Sequence, residues 1–376
     1  MLLTDDHLAV QDAVRQFVQA EIAPKAAQWD KSHHFPAAEL RGLASLGCYG
    51  VAVPAAYDGA GLDYLSLALI LEEIGAGDGA TSTIVSVNNC PVCSILMAFG
   101  NEDHKQRFLK PLARGDMLGA FCLTEPHVGS QADGLRTTAT RDGGDYVING
   151  VKQFITSGKN GDVAIVMAVT DKAAGKKGIS AFLVPTLMPG YHVARIEDKM
   201  GQHASDTAQI NFDNCRVPTA NRLGEEGQGL RIALSGLEGG RIGIASQSVG
   251  MARAAFEAAL AYSKQRTAFG TPIFNHQAVQ FKLAEMATKI EAARQLIWHA
   301  ACLKDAGRPC LKEAAMAKLN ASEMAESVCS AAIQVFGGYG YVSDFPVERI
   351  YRDVRVCQIY EGTSEVQKIL IGRALA

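Results

Sequence analysis

The sequence predicts an α+β chain of three domains, in which a helical region and a helical bundle flank a middle β region. Apolar residues repeat at helical spacing up to about residue 115 and again after Gly229. Between these regions, short runs of β-forming residues alternate with turn residues, which is typical of an antiparallel barrel or sandwich. We therefore place the domains at residues 1–115, 116–222 and 223–376.

In the N-terminal region, Thr4-Asp5-Asp6 can cap a helix that carries Val10, Val14 and Phe17. Further helices are predicted at about 64–75 and 102–113. The uncharged run from Gly79 to Asn101 contains Pro91 and several Ser, Thr and Asn residues. It is too polar to cross lipid easily, so we predict a helix buried within the protein.

The middle region contains five runs that favour strands: Tyr146 to Ile148, Phe154 to Thr156, Val163 to Val169, Ile179 to Val184 and Gln209 to Phe212. In the C-terminal region, one apolar seam has steps of four and three residues: Val279, Leu283, Met286, Ile290, Ala293, Ile297 and Ala300. Residues 242–263 and 311–335 carry similar Ala-rich stripes. Small residues let helices approach closely, which favours a four-helix bundle.

Composition excludes several classes of protein. With 376 residues, 48% hydrophobic content and 20% charged content, the chain has enough apolar surface to fold. A balance of 36 basic and 39 acidic residues argues against a general attraction to nucleic acid or to anionic membranes. The N-terminus shows no secretory signal pattern, and the nine cysteines have no disulfide framework spacing. We expect free thiols in a reducing compartment, with a redox role for Cys90 and Cys93 as the less favoured alternative.

Two segments of the β region offer groups for a flat ligand. Residues 121–130 (FCLTEPHVGS) form a Pro- and Gly-containing loop in which Thr124 and Ser130 provide hydroxyls. In Phe154-Ile155-Thr156, alternation places the ring and the hydroxyl on one face of a strand. A strand-to-loop junction and an ordinary core strand are the simpler alternatives.

Three segments of the helical region complete the set of candidates. Arg266 precedes a Gly/Pro break and His276-Gln277, where a guanidinium can hold a pyrophosphate, or simply lie at the surface. Residues 334–340 (QVFGGYG) end a helix with glycines but lack the βαβ context of a Rossmann loop. Residues 359–365 (IYEGTSE) precede an apolar helix, with Ser364 and Gln367 at capping-box spacing and Glu361 free to face a cavity or solvent.

Metal binding is not expected from the histidines. His7, the His33-His34 pair and His104 show neither HExxH spacing nor paired thiolates.

Taken in order, the motifs LTEPxxGS, F-I-T, RxxFGxP with HQ, QxxGGxG and YEGTSE resemble the acyl-CoA dehydrogenase family over essentially the whole chain. The resemblance implies an N-terminal helical domain, a middle antiparallel β-barrel domain and a C-terminal four-helix bundle. It also implies a homotetramer, a dimer of dimers, with one FAD in each subunit that extends into the neighbouring subunit. The short-chain and branched short-chain members are the most similar.

Site residues follow from the resemblance by position. The FAD contacts would be Phe121, Leu123, Thr124, Gly129, Ser130, Phe154, Ile155, Thr156, Arg266, Phe269, Gln277, Gln334, Val335, Gly337, Gly338, Thr363, Ser364 and Glu365. Of these, Arg266, Gln277 and residues 334–338 would contact the FAD of a partner subunit. The substrate contacts would be Ser130, Glu238, Arg241, Tyr360 and Gly362, with Glu361 as the catalytic base.

The implied reaction is the α,β-dehydrogenation of an acyl-CoA to a trans-2-enoyl-CoA. Glu361 would take the α-proton, flavin N5 the β-hydride, and an electron-transferring flavoprotein the electrons. A non-CoA dehydrogenase or flavin oxidase on the same scaffold, and a non-catalytic FAD- or acyl-CoA-binding protein, remain alternatives. The expected location is the bacterial cytosol, or the matrix for a eukaryotic protein without its transit peptide.

Four positions qualify or refine the resemblance. Gln131 and Glu238 stand where Asp is frequent, and Phe154 where Trp is frequent. Gly240 occupies the position of the family's alternative base and has no ionisable side chain. Residues 237–247 and 312–319 resemble short-chain and isobutyryl-type members, so we expect four- or five-carbon thioesters, linear or α-methyl-branched, in fatty acid β-oxidation or branched-chain amino acid catabolism.

Overall fold

The N-terminal region is helical, as predicted, in the computed structural model, which describes residues 2–376. Thr4 caps the first helix, with its hydroxyl accepting from the His7 N–H. The helices are α1 (Asp5–Phe17), α2 (Ala26–Ser32), α3 (Ala37–Ser45), α4 (Tyr64–Gly77), α5 (Gly79–Val87), α6 (Ser94–Phe99), α7 (Glu102–His104) and α8 (Lys110–Arg114). Helices α4 and α5 are buried along nearly their whole length: α4 packs against α1, α9 and α10, and α5 packs against α9 and strands β1 and β3 of the middle domain.

The predicted buried helix is α5 together with α6. By length and composition alone, Gly79–Phe99 is the one helical segment within residues 2–376 that is apolar enough to cross a membrane. In this structure 72% of that segment is buried inside the protein. Its helical path is interrupted at Cys90, which has an extended backbone before Pro91. The polar side chains of the segment are satisfied internally. Asn88, for example, donates to the carbonyls of Tyr49 and Leu112.

The middle region forms one sheet of eight strands. The strands are β1 (Gly119–Cys122), β2 (Thr138–Asp142), β3 (Asp145–Thr156), β4 (Val163–Val169), β5 (Ile179–Pro185), β6 (Tyr191–Ile196), β7 (Thr207–Pro218) and β8 (Arg222–Leu223). Their hydrogen-bonded order is β6-β7-β3-β2-β4-β5-β8, with β1 paired to β4. The sheet is mainly antiparallel, as predicted, but β4 pairs in parallel with β1 and β2, a feature that the turn pattern did not indicate.

Strand β4 is buried on both faces, which explains its continuous apolar sequence. Ala164, Val166 and Ala168 face a core made only of sheet residues. Ile165 and Met167 face the opposite way and pack with residues of α6 and of the first C-terminal helix. The sheet is therefore held against the helices through this central strand.

The C-terminal region is built on three long helices and two short ones. They are α9 (Gly229–Gln265), α10 (Gln277–Asp305), α11 (Leu311–Phe336), α12 (Val347–Val354) and α13 (Ser364–Leu375). A two-stranded ribbon of β9 (Thr267–Ala268) and β10 (Thr271–Pro272) joins α9 to α10. The predicted seam of α10 is buried from Leu283 to Ala300, with Val279 partly buried at its start. Helix α4 packs along α9, so the N-terminal domain extends the bundle.

Two adjacent carboxylates of α4 join these helices through buried ion pairs. Glu73 pairs with Arg15 of α1 at 2.8 Å and with Arg253 of α9 at 2.6 Å. Glu72 pairs with Arg294 of α10 at 2.8 Å. Burial opposes the ionisation of Glu73, but its two arginines outweigh that cost and lower the pKa of this carboxyl.

We expect Glu73→Gln to lower the free energy of unfolding by about 2–3 kcal/mol, because it removes charge-assisted hydrogen bonds to two guanidinium groups, of which Arg253 keeps Glu72 at 3.2 Å and Arg15 is partly exposed. Since the pKa of Glu73 is lowered, this stabilisation is present at neutral pH and is lost as acid protonates the group. Calorimetric melting with excess cofactor measures the loss. Glu257→Gln is the matched control, because Glu257 pairs with the same Arg253 but is largely exposed. Equal melting of the two variants would contradict the prediction.

Candidate active site

Glu361 lies in a left-handed loop between a 3-10 turn (Arg355–Gln358) and α13. Its φ is 54° and that of Gly362 is 88°, and such a backbone is uncommon for a residue with a side chain. Two side chains hold the loop: Lys318 Nζ donates to the Gly362 carbonyl at 2.8 Å, and Gln367 Nε2 donates to the same oxygen at 2.8 Å. Gln367 also donates to the Glu361 carbonyl at 3.1 Å. These bonds fix the direction in which the Glu361 side chain leaves the loop.

The carboxylate of Glu361 lies directly on the backbone of α9. A Cβ built on Gly240 would be 2.6 Å from Oε2 of Glu361, so a side chain at position 240 would displace the carboxylate from this position. Oε2 is buried and has no hydrogen-bond partner within residues 2–376. Burial raises the pKa of Glu361 to about 7, against the opposing charges of Arg241 and Lys318. A buried carboxylate with a raised pKa is suited to accept a proton near neutral pH.

Tyr360 connects the loop that contains Glu361 and Gly362 to the other two domains. Its hydroxyl lies 3.3 Å from the Thr83 hydroxyl of α5 and 3.3 Å from Gln202 Nε2 in the loop before β7. Thr83 also donates to Gln202 at 2.7 Å and accepts from Gln247 of α9 at 2.8 Å. The Tyr360 hydroxyl is therefore used within the protein, which leaves its ring and backbone for the substrate contact implied by the resemblance.

The two predicted substrate contacts on α9 differ in their partners: Glu238 is paired within the protein, whereas Arg241 has nitrogen atoms without a partner. Glu238 Oε1 pairs with Lys304 at 3.0 Å and accepts from the Cys310 thiol at 3.3 Å, so this carboxylate ties α9 to the end of α10. Arg241 is buried, and its Nε and Nη1 atoms lack partners within residues 2–376. A substrate carbonyl or an ordered water beside Glu361 is the kind of group that these two nitrogens can serve.

A small cavity lies near Gly239 of α9, the residue before the one that contacts Glu361. Its volume is about 140 Å³, and Tyr64, Cys90, Ser94 and Met97 are among its lining residues. Tyr64 and Cys90 close around Gly239, the residue before Gly240. The two thiols of the CxxC motif are buried and free, and burial raises the pKa of Cys93. Their surroundings are those of packed, unreactive cysteines.

The loop of residues 121–130 is anchored by a buried ion pair that sequence reasoning did not single out. Lys152 of β3 and Glu125 are almost fully buried and lie 2.8 Å apart. Lys152 also donates to the Leu123 carbonyl at 3.1 Å, and Glu125 accepts from the N–H groups of Arg136 and Thr137. This pair fixes the loop against the strand that carries Phe154.

Strand β3 has a bulge at the predicted ring-binding position. Its register with β7 shifts between Lys152 and Ile155, and Phe154 has a φ of 58°. Phe154 is exposed and Thr156 part-exposed, whereas Ile155 lies in the sheet core. Ile155 can therefore reach a cofactor only through its backbone. Bulges are common where a strand must re-aim a side chain beside an active site.

The start of α13 corrects one prediction. Thr363, rather than Ser364, is the cap, and its hydroxyl accepts from the Val366 N–H. The helix begins one residue earlier than the capping-box spacing suggested, and the Gln367 side chain donates to the carbonyls of Glu361 and Gly362 instead. Ser364 Oγ is buried without a partner within residues 2–376, while Glu365 is exposed.

The remaining predicted FAD residues meet at a separate cleft. This cleft, of about 600 Å³, is lined by Arg266, Val335, Gly337 and Gly338 among others. The Arg266 guanidinium lies 5.9 Å from the Tyr339 ring and has no carboxylate partner within the described residues. Phe269, Gln277 and Gln334 are exposed nearby in the chain, and Phe269 is 97% exposed.

Three groups of residues fit the parts of FAD. Beside the β domain, the hydroxyls of Thr124, Ser130 and Thr156 form no hydrogen bond within residues 2–376, so they are free to meet a heteroaromatic edge. At the start of α13, helix N–H groups and the unpartnered Ser364 hydroxyl suit an anion. At the second cleft, an unpaired guanidinium suits a pyrophosphate.

One cluster has the composition of a metal site. His33, Asp198 and His203 place their ligand atoms within 4.8 Å of one another, the only such group found in residues 2–376. Both ring nitrogens of His203 are already used. Nδ1 lies 2.9 Å from Asp30 Oδ1, and Nε2 lies 2.6 Å from the Lys199 carbonyl. The ring would have to break these contacts to bind an ion.

Sequence reasoning missed Lys318, Gln367 and Lys152, and assigned no contact to Gly240. A signal for Lys318 was present: it is a lysine within an Ala-rich apolar stripe, and buried lysines are rare unless they are held by other groups. Gln367 was noticed only as a cap residue. The contact of Gly240 with Glu361 had no local signal because it depends on packing.

Three family models match the chain: "Acyl-CoA dehydrogenase, N-terminal domain" at residues 4–116, the middle domain at 120–215 and the C-terminal domain at 227–376. The human mitochondrial short-chain specific acyl-CoA dehydrogenase is 47% identical over 98% of this chain and 90% of its own length. Butyryl-CoA dehydrogenase from Megasphaera elsdenii is 42% identical with a TM-score of 0.97, covering 100% of this chain and 99% of that one. A solved structure of the electron transferring flavoprotein of Acidaminococcus fermentans contains a chain that is 45% identical with a TM-score of 0.98, again covering 100% and 99%.

Proposed function

Because this chain belongs to the acyl-CoA dehydrogenase family, we propose that it uses FAD to oxidise short-chain acyl-CoA thioesters to trans-2-enoyl-CoA. The observation that carries the proposal is the carboxylate of Glu361, which is buried, unpartnered at Oε2 and raised in pKa to about 7. The motif that contains it also matches the family's base. A surface glutamate would show none of these properties.

Proton abstraction is the step that the chain's own residues perform. The α-proton of a thioester is weakly acidic, so a base with a raised pKa is matched to it better than an ordinary carboxylate. When Glu361 accepts the proton it becomes neutral, which its buried site favours. When bound, FAD supplies the acceptor for the β-hydride. Lys318 and Gln367 hold the loop, and Gly240 leaves the space in which the carboxylate lies.

Two observations support a short acyl chain. The human relative is named for short-chain substrates, and the M. elsdenii relative for butyryl-CoA. Residues 237–247 also resemble short-chain and isobutyryl-type members.

The proposed assembly is a homotetramer in which Arg266 and residues 334–338 contact a partner's FAD. Its support is the cleft at Arg266, whose guanidinium has no carboxylate partner within residues 2–376, and the exposure of Phe269 nearby in the chain. The proposed electron acceptor is an electron-transferring flavoprotein, since a similar chain occurs in a structure of one. None of the nine cysteines forms a disulfide within residues 2–376, which fits the proposed cytosolic or matrix location.

We predict that Glu361→Gln retains FAD and binds butyryl-CoA but reduces its flavin at least ~10²–10⁴-fold more slowly, because the amide cannot accept the proton. Anaerobic stopped-flow bleaching of the flavin measures the rate. In the wild-type chain, the second-order rate constant should rise with pH through the pKa of Glu361 near 7, since only the ionised form is a base. Reduction at the wild-type rate would remove Glu361 from the mechanism.

Arg266→Ala should weaken FAD retention and tetramer stability together, because it removes a charge-assisted contact between subunits. Flavin content and sedimentation velocity measure the two effects on the same sample. Arg308→Ala, which removes an exposed positive charge outside the cleft, is the control. A fully flavinated, stable monomer would rule out the proposed arrangement.

The substrate series tests the chain length. We expect the highest kcat/KM for four- or five-carbon thioesters, linear or α-methyl-branched, and a sharp fall by octanoyl-CoA. Each methylene that lacks space changes the ratio by roughly 10–200-fold. The series comprises butyryl-, isobutyryl-, 2-methylbutyryl-, hexanoyl-, octanoyl- and palmitoyl-CoA with one fixed electron acceptor. A maximum at eight carbons or beyond would reject the short-chain assignment, and rapid reoxidation of the reduced flavin by oxygen would favour an oxidase.

A further inference from the structure

Lys318 is a fully buried lysine in the middle of α11. Its neighbours on that helix, Ala314, Ala317 and Ala321, are also fully buried. Its Nζ atom donates to the Gly362 carbonyl at 2.8 Å, and no carboxylate within residues 2–376 forms an ion pair with it. Burial of an unpaired ammonium is unfavourable, and it lowers the pKa of Lys318 to about 8. Packing alone therefore does not account for a lysine here.

The carbonyl that Lys318 binds belongs to the residue after the base. Glu361 and Gly362 both have left-handed backbones, a combination that persists only when surrounding contacts hold it. Gln367 supplies a second donor to the same carbonyl, but Gln367 is neutral. The two donors thus share one geometric task and differ in charge.

The charged and titratable groups near Glu361 come from five elements. Arg241 faces it from α9 and Lys318 from α11, and both charges favour the ionised carboxylate. The charge of Glu361 also acts on the thiol of Cys90, in the segment between α5 and α6. Cys357 of the 3-10 turn and the exposed Glu365 of α13 interact electrostatically with Lys318. Two buried cations, Arg241 and Lys318, therefore act on Glu361, and within residues 2–376 no second buried carboxylate acts on it.

We propose that Lys318 is a positioning residue for Glu361: its ammonium fixes the Gly362 carbonyl, and its charge keeps the base ionised for proton abstraction. This inference rests on the proposed function, because it assigns a task within the same step. Its consequence has a definite sign. Loss of the nearby positive charge makes the Glu361 carboxylate harder to ionise, so activity should require a higher pH.

The test is the pH dependence of the second-order rate constant for anaerobic flavin reduction by butyryl-CoA. This quantity reports the ionisation of groups in the free enzyme. Four proteins are compared: wild type, K318M, K318R and Q367L. K318M removes the charge and one donor, K318R keeps a charge, and Q367L removes the neutral donor to the same carbonyl. FAD content and melting temperature are measured for each.

In K318M the acidic limb of the pH–rate profile, where the rate constant rises with pH, should move to higher pH by about one unit. At low pH this shift corresponds to about a tenfold loss of rate. K318R should keep the wild-type limb. Q367L should lose rate without moving the limb. K318M should melt no lower than the wild type, since an apolar side chain replaces an unpaired buried charge.

Coincident limbs for K318M and wild type would overturn the proposal, and so would equal shifts in K318M and Q367L, which indicate loop disorder alone. If K318M does not retain FAD, K318R decides: a wild-type limb supports the role of the charge, and a limb shifted upward by about one unit overturns it. If wild type is reduced by no acyl-CoA, the proposed function fails as well. Normal reduction of wild type with an unmoved K318M limb defeats only the role of Lys318.

Discussion

The close approach of the Glu361 carboxylate to the backbone of Gly240 is the constraint on which the site depends. A side chain at position 240 would displace the carboxylate, so the base and the helix that supports it are specified together. The same contact removes Oε2 from water, and burial then raises the pKa of Glu361 toward neutrality. Geometry and proton affinity therefore have one cause.

Several elements are needed to maintain that contact. Lys318 of α11 and Gln367 of α13 hold the loop that contains Glu361, while Tyr360 reaches α5 and the β domain through Thr83 and Gln202. The helices themselves are fixed by the buried carboxylates of α4 and their arginines. The position of the base thus depends on all three domains, although its motif lies within a few residues.

The β domain contributes the residues that we assign to the cofactor rather than to proton transfer. The buried pair of Glu125 and Lys152 fixes the loop of residues 121–130, and the bulge in β3 turns Phe154 outward. The hydroxyl groups of Thr124 and Ser130 in this loop and of Thr156 in β3 have no hydrogen-bond partner within residues 2–376, so they are free to bind a cofactor edge. Phe154 in place of the frequent Trp keeps an apolar ring there but offers no indole N–H.

Local pattern in the sequence was enough to predict the order of helices and strands, the seam of α10 and the cap at Thr4, because periodicity and capping involve residues a few positions apart. Ordered motifs were enough to identify the family and to predict that Glu361 is the catalytic base. Only the tertiary structure revealed the Gly240 contact, the hydrogen bond from Lys318 to the Gly362 carbonyl, the bulge at Phe154 and the parallel pairing of β4. Each of these joins residues that are distant in the chain, and such contacts are set by how whole helices and strands pack. Burial, and with it the pKa of the base, is likewise a property of the packed site and not of any short segment.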